Sequence, residues 1–419
     1  MVGSLTKDLL AGTISKNHQT PNPRTAILQV VPKLETGGAE RSTIEIAAAL
    51  SREGFLPLVA SEGGRMVAEL ERAGGEWVPM ALDTKQPFAL AANAFKLANL
   101  IRARNVKLIH ARSRAPAWSA LWAARRTRIP FVTTWHGSYS ARTSLKRFYN
   151  SVMARGDVVI ANSAWTAEHI RAQSPAKRIV TIPRGVDLER FEPAAIPPER
   201  VAALRGAWGA DSTTVLVLLP GRLTRWKGQE ILIEALGLLA QPHLRAVLAG
   251  DAQGRTNYEH ALRDSIASHG LADRVIIAGH VADMPTAYLA ADIVVSASTQ
   301  EEAFGRVAAE AAAMGRAVVA TDHGGSRETV VHGETGLLVP PGDATALAGA
   351  LRQLMEAGAT GRAAMGAKGH AHIQANFTVE RMCTATLSVY RALLGEHVSA
   401  RGVYPPLLGE AEKSKRSEA

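Results

Sequence analysis

Short β-like runs alternate with helical stretches along most of this chain, and no other feature constrains its fold as tightly. Ala26–Val31, Leu56–Ala60, Trp77–Pro79, Leu108–His110, Phe131–Thr134, Val158–Ala161 and Ile179–Ile182 are separated by helical patterns such as Ala39–Ser51 and Phe88–Arg104. Strands spaced by helices predict parallel pairing, because parallel neighbours need a crossover that a tight hairpin cannot supply. The rhythm breaks over residues 191–210, where Pro193, Pro197 and Pro198 cluster, and restarts at Val215–Leu219. The expectation is an α/β chain with two doubly wound domains, 24–190 and 211–377, joined by a linker at 191–210. A helix over about 378–398 follows. Residues 1–23 read as a disordered leader and 401–419 as a charged tail. The cleft between two such domains is the default binding site.

With 419 residues, both domains can bury full cores. A composition 47% apolar and 21% charged fits a soluble globular chain, and no apolar run reaches the ~18 residues of a spanning helix. The leader lacks the apolar segment of a signal peptide. The one cysteine, Cys383, fits a reducing cytoplasm. The net charge of +10 is unevenly placed: residues 101–150 hold eleven Lys or Arg and no Asp or Glu. A positive field of that size suits an anionic membrane surface, an acidic substrate or nucleic acid.

The densest chemistry lies in residues 294–328. A β-like run ending at Ser296 leads through a polar loop into an Ala-rich helix over about Phe304–Met314, then into a second run, Ala317–Thr321. The loop falls at a strand's carboxyl end, where open α/β sheets bind ligands. Two carboxylates sit there, Glu302 before the helix and Glu310 inside it. On one helix they would be roughly 12 Å apart along the axis and about 80° round it. A glycosidase pair must flank one bond at roughly 5–10 Å. The spacing therefore points to two carboxylates gripping different hydroxyls of one elongated ligand.

Three other strand ends carry candidates. Gly37 and Gly38 stand between a strand and a helix N-terminus, where paired glycines let phosphate approach free N–H groups. The segment is neither a dinucleotide fingerprint nor a Walker loop. Gly221 to Gly228 follows the first strand of the second domain and places Arg222 and Lys227 beside a helix start. Two cations there suit a diphosphate that departs with negative charge. His136, at the end of Phe131–Thr134, is placed to bond a sugar hydroxyl or to act as acid or base.

These segments resemble, in order, the signatures of the retaining family 4 glycosyltransferases, including bacterial lipopolysaccharide-core and exopolysaccharide members. Glu302 and Glu310 match E-x7-E, and Gly221-Arg222-Leu223 with Lys227-Gly228 matches G-R-L-x-x-x-K-G. Gly37-Gly38-Ala39-Glu40-Arg41 matches G-G-A-E-R. Ile182-Pro183-Arg184-Gly185-Val186-Asp187 is similar to I-P-N-G-V-D. Gly324, Gly325 and Glu328 match G-G-x-x-E, and Gly333 to Leu338 matches N-G-x-T-G-L-L. The likeness covers residues 25–395. It implies the GT-B fold, two Rossmann-like domains facing a central cleft, and a nucleotide-sugar donor with no cofactor and no metal. It also implies roles. Arg222 and Lys227 would hold the donor's diphosphate, with Gly37, Gly38 and Gly221 nearby. Glu302 would hold the transferred sugar and Glu310 the ribose. Backbone at Phe304, Gly305 and Arg306 would lie against sugar and phosphates, His136 by the anomeric centre and Val281 by the base. Three positions depart from the pattern: Ala303 replaces a glycine, Arg184 replaces the asparagine, and Ala252 follows Gly250-Asp251.

The resulting expectation is a retaining transferase that moves a sugar, mannose foremost, to a hydroxyl of a glycan or glycolipid in cell-envelope synthesis. Arg112, Arg114, Arg142, Lys146 and Arg147 are expected to meet the acceptor or an anionic inner-membrane surface, so the protein is placed in the cytoplasm and peripherally on the membrane. Ser144–Ala154 is expected to be a partly amphipathic helix, with Leu145, Phe148, Val152 and Met153 on its apolar side. The rival readings are a GT-B nucleotide-sugar epimerase, a two-domain solute-binding protein and a nucleic-acid binder, the last marked by steep salt dependence. Nucleic acid is not the expected partner.

Overall fold

The computed structural model describes residues 24–35, 37–137, 143–174, 176, 178–239, 241–254 and 256–396. The leader 1–23 and the tail 401–419 lie outside them. Each half of the chain forms one parallel sheet. The first contains β1 (Ala26–Val30), β2 (Leu56–Ser61), β3 (Glu76–Pro79), β4 (Val106–Ala111), β5 (Phe131–Trp135), β6 (Val158–Ala161) and β7 (Ile179–Thr181), in spatial order β3-β2-β1-β4-β5-β6-β7. The second contains β8 (Val215–Pro220), β9 (Leu244–Ala249), β10 (Val275–Gly279), β11 (Ile293–Ser296), β12 (Ala317–Thr321) and β13 (Leu337–Val339), in order β10-β9-β8-β11-β12-β13. All strand pairings are parallel.

The central strands are apolar on both faces because helices cover both. Every residue of β1 is buried, and so is every residue of β11. Each sheet reverses direction between its first strand and the strand of the second βαβ unit, at β1/β4 and at β8/β11. Ligands of open α/β sheets bind outside the carboxyl ends at such a reversal. Four loops therefore border a site by topology alone, those after β1, β4, β8 and β11.

The helix Val379–Leu393 returns to the first lobe. Met382, Cys383, Leu387 and Tyr390 pack with Ile27, Ile46, Leu108 and Ile160. The chain crosses between lobes at two adjacent points, and these pair with each other. Val186 N–H donates to Phe377 O at 2.7 Å, and Val379 N–H donates to Val186 O at 3.1 Å.

Two stretches differ from the sequence reading. Within 191–210 lies a ten-residue helix, Pro198–Ala207, docked on the second lobe, where Arg205 Nη1 donates to Ala290 O at 2.6 Å and Asp292 Oδ2 at 3.0 Å. Pro198 is its first residue, a position that needs no N–H, so the proline cluster marks a helix start rather than a linker. A nineteen-residue helix, Gly358–Asn376, was not expected at all. Its glycines oppose helix formation in isolation. Gly366 earns its place in the packed fold, since a Cβ there would collide with the carbonyl of Gly315.

Candidate active site

In the second lobe, the loop after β8 turns through a 3₁₀ segment, Arg225–Lys227, and reverses at Gly228. Gly228 has φ 75°, and a Cβ would strike the carbonyl of Ala297 in the loop after β11. That close approach draws the two switch-point loops together, and Thr299 N–H bonds Trp226 O across them at 2.7 Å. Lys227 Nζ then donates to Glu302 Oε1 at 2.7 Å, with only 14% and 11% of the two side chains exposed. Ser298 Oγ donates to the same carboxylate oxygen. Burial would raise the Glu302 carboxyl, but Lys227, Ser298 and His323 outweigh it and hold the group below the usual range.

Gly305 begins the helix Arg306–Ala313 in the left-handed region, φ 77°. Arg306 Nη2 and Nε reach one oxygen of Glu310 at 2.5 and 3.1 Å, and Tyr288 Oη donates to the other at 2.9 Å. Phe304 is buried against Phe377. The Gly324–Gly325 turn supports this loop from behind: Gly325 N–H donates to Glu302 O at 2.7 Å, and a Cβ at either glycine would meet the loop backbone. Arg222, in the loop after β8, is exposed, and its guanidinium has no partner among the described residues. Gly221 precedes it directly. Val281 follows β10 and is partly buried against the core of the second lobe.

In the first lobe, Gly38 opens the helix after β1. The Arg184 guanidinium lies against it, where a Cβ on Gly38 would fall. Arg184 Nη2 donates to His136 Nδ1 at 2.6 Å. Guanidinium has no acceptor atom, so Nδ1 accepts. Burial, then the charges of Arg184 and Arg112, push His136 well below its ordinary range. The ring is neutral with its proton on Nε2, and that atom is buried without a partner among the described residues. Arg112, after β4, is buried beneath, donating to Gln29 Oε1 at 2.9 Å and Ser42 Oγ at 3.4 Å.

A small cleft lies between the lobes, lined by Gly38, Arg41, Glu45 and Arg184 on one side and Arg306 and Glu310 on the other. The lobes are also bridged at Glu328, whose two carboxylate oxygens accept the N–H groups of Ala164 and Trp165 at 2.9 and 3.0 Å. Those groups open the helix Ala164–Gln173, a position where a negative charge is favoured.

The structure thus brings Gly38, Arg306 and Glu310 to one cavity and joins Lys227 to Glu302. It corrects the expectation for Arg112, which is 3% exposed and cannot meet a surface. Its position at the end of an internal strand, not its place in a basic window, decides its burial. Arg114 is half-buried and donates to Asn150 Oδ1 at 2.9 Å. Lys146 and Arg147 are exposed, and Arg142 lies outside the described residues. The expected helix Ser144–Ala154 is α-helical only to Asn150; Val152 and Met153 are buried in a 3₁₀ turn, leaving Leu145 and Phe148 outside. Glu45, Tyr288 and Ser298 were missed. Nothing in their local sequence separates them from ordinary helix and loop residues.

Two parallel-sheet lobes whose reversal points face one cleft define a GT-B glycosyltransferase. The fold is shared with a solved glycosyltransferase from Rickettsia africae ESF-5, at TM-score 0.83 and 34% identity over 90% of this chain and all of that one. It is shared too with Anabaena HepE in complex with UDP-glucose, at TM-score 0.77 and 29% identity over 88% and 100%. Residues 201–372 match the glycosyl transferases group 1 family and residues 36–190 match glycosyltransferase family 4. The lipopolysaccharide core biosynthesis mannosyltransferase LpsB of Rhizobium meliloti is 33% identical over 248 residues, 58% of this chain and 68% of that protein. A D-inositol 3-phosphate glycosyltransferase of Kineococcus radiotolerans is 30% identical over 88% and 94%. This chain belongs to the family 4 and group 1 glycosyltransferases.

Proposed function

We propose that the protein is a retaining, metal-independent hexosyltransferase that moves a sugar, mannose foremost, from a nucleoside diphosphate to a glycan or glycolipid hydroxyl. The Lys227–Glu302 pair at the second switch point carries the reading. An ammonium has three donors, so Lys227 can hold Glu302 and still bond a phosphate oxygen. Glu302, kept ionised, retains lone pairs for sugar hydroxyls. As the anomeric carbon gains positive character, Lys227 and Arg222 stabilise the departing diphosphate, which is the task a divalent ion performs elsewhere. Glu310 accepts from the ribose, and the acceptor hydroxyl attacks on the face the diphosphate leaves. The UDP-glucose complex of Anabaena HepE and the likeness to the lipopolysaccharide core mannosyltransferase LpsB support a nucleotide-sugar donor and envelope glycan synthesis. Thermal-shift screening against UDP-, GDP- and ADP-sugars tests this, since a ligand at ~100 times its Kd adds ~2.7 kcal/mol. No shift with any of them, or activity abolished by EDTA and restored by Mg²⁺, would defeat the proposal.

Peripheral membrane contact belongs to the same reading, on a surface that keeps Leu145, Lys146, Arg147 and Phe148 and leaves out the buried Arg112. Phe88, Phe95, Trp122, Leu145 and Phe148 are exposed on the helical layer over the first sheet, with Phe88 at 92% and Leu145 at 79%. Arg125, Arg126, Lys146 and Arg147 are exposed in the same layer, and the Arg126 guanidinium lies over the Phe95 ring. Aromatic and aliphatic anchors ringed by cations suit an anionic lipid interface. The double change Leu145→Ser and Phe148→Ser is expected to abolish binding to anionic vesicles while donor hydrolysis continues. Unchanged vesicle binding would remove the membrane from the account.

A further inference from the structure

The first lobe holds more buried positive charge at its switch point than its own carboxylates answer. Arg112 is buried and bonded to the neutral Gln29 and Ser42. Arg184 is bonded to the neutral His136, and its Nε is buried without a partner among the described residues. Among the described residues neither guanidinium makes an ion pair, whereas Arg41 pairs with Glu69 and Arg306 with Glu310. Buried charges are ordinarily paired or bound to an ion, because leaving one alone in a poorly solvated site is costly.

The carboxyl that faces both guanidiniums is Glu45. Burial pushes it up to about 7 in spite of Arg184, Arg306 and Arg41. A single carboxyl raised in this way cannot offset two full charges. Burial in turn draws the Arg184 guanidinium down to about 10, the mark of a cation short of counter-charge. Asp187 lines the cavity and Glu40 also acts on Arg184, but among the described residues neither forms an ion pair with Arg184 or Arg112.

We propose that Arg184, backed by Arg112, forms an anion subsite on the first lobe that binds a phosphate group of a substrate. This rests on the glycosyl-transfer reading and deepens it. Arg184 lines the cavity that also holds Gly38, Arg306 and Glu310, so an anion bound there lies between the lobes. One N–H of Nη2 is given to His136, which leaves Nη1 and the second N–H of Nη2 for an end-on bidentate grip on a phosphate. Gly38 permits this, because any side chain at that position would displace the guanidinium. The phosphate has two possible sources, the donor's diphosphate and a phosphate carried by the acceptor.

The test compares wild type, R184M, R184K and R184N as full chains. The probes are UDP, GDP and ADP, the matching monophosphates, and inorganic phosphate, by titration calorimetry at fixed salt. R184N restores the asparagine of the family pattern and keeps the comparison valid if R184M does not fold. The expected result is a loss of tenfold or more in phosphate or diphosphate affinity in R184M and R184N, only partly recovered in R184K, which restores the charge but not the planar fork. If the donor is the source, the preferred nucleoside diphosphate weakens, its monophosphate does not, and phosphate competes with it. If the acceptor is the source, diphosphate affinity holds, and inorganic phosphate binds the diphosphate-loaded wild type but not R184M. Equal affinities for every probe in wild type and R184M overturn the subsite. A wild type that binds phosphate through Arg184 but no nucleoside diphosphate leaves the subsite standing and sinks the transferase reading instead.

Discussion

The two switch points solve the problem of buried charge in opposite ways. In the second lobe Lys227 and Glu302 neutralise each other at 2.7 Å. The pair is settled before any ligand arrives, and its geometry is fixed by Gly228 and the Gly324–Gly325 turn beneath it. In the first lobe Arg112 and Arg184 lean on amide, hydroxyl and imidazole, and the nearby Glu45 is pushed up to about 7. The second lobe is therefore preorganised, while the first is left electrostatically unfinished. A site assembled from one of each has a rigid half that defines the reaction geometry and a half that ligand charge completes.

The sharpest attempt to break this contrast is K227M. Removing the ammonium leaves Glu302 buried and unpaired, a loss of about 3–5 kcal/mol in unfolding free energy, and kcat should fall about 10²–10³-fold. Denaturant melts and turnover check both; a stable K227M would mean that the pair is not what organises the second lobe. In the first lobe the sign reverses. Glu45 has a folded pKa raised above 4.5 to about 7, so its favourable contribution is full below pH ~4.5 and is lost as pH rises through 7. E45Q should thus exceed wild type in stability by up to ~3 kcal/mol at pH 8.5 and match it near pH 4. A difference that does not vary with pH would contradict the buried-charge account. E328Q, which turns an amide NH2 toward one of the two backbone N–H groups, should cost ~2 kcal/mol and loosen the interface without changing either sheet, as amide exchange at Ala164 and Trp165 would report. R222M is the smallest perturbation of the fold, within ~0.5 kcal/mol because the side chain is exposed. Its effect should appear in turnover alone.

Much of this was legible in the sequence. Strand–helix alternation fixed both sheets, since continuous apolar runs such as Val215–Leu219 suit only strands covered on two faces. The motif glycines located the loops, because their backbone geometry and close approaches leave few other residues tolerable. What could not be read was burial. Arg112 looked like part of a basic surface because eleven cations share its window, yet a strand end at the centre of a sheet places it inside. Arg184 was visible as a departure from the family pattern, but its contact with His136 joins segments 48 residues apart. The helix Gly358–Asn376 was hidden by the glycines that allow it to pack. Glu45 gave no signal, because its environment is assembled from both lobes.

The paired crossings at Val186 and Phe377–Val379 also bear on how substrates come and go. Any swing of one lobe against the other must pivot on this doubled seam, since the chain is tethered there twice and hydrogen-bonded to itself. Arg184 stands two residues from Val186 and so beside the pivot. A pivot translates least what lies nearest to it. As the lobes part, the guanidinium keeps its station while the groups beyond it sweep aside, and an arriving anion meets the same cation before closure as after it.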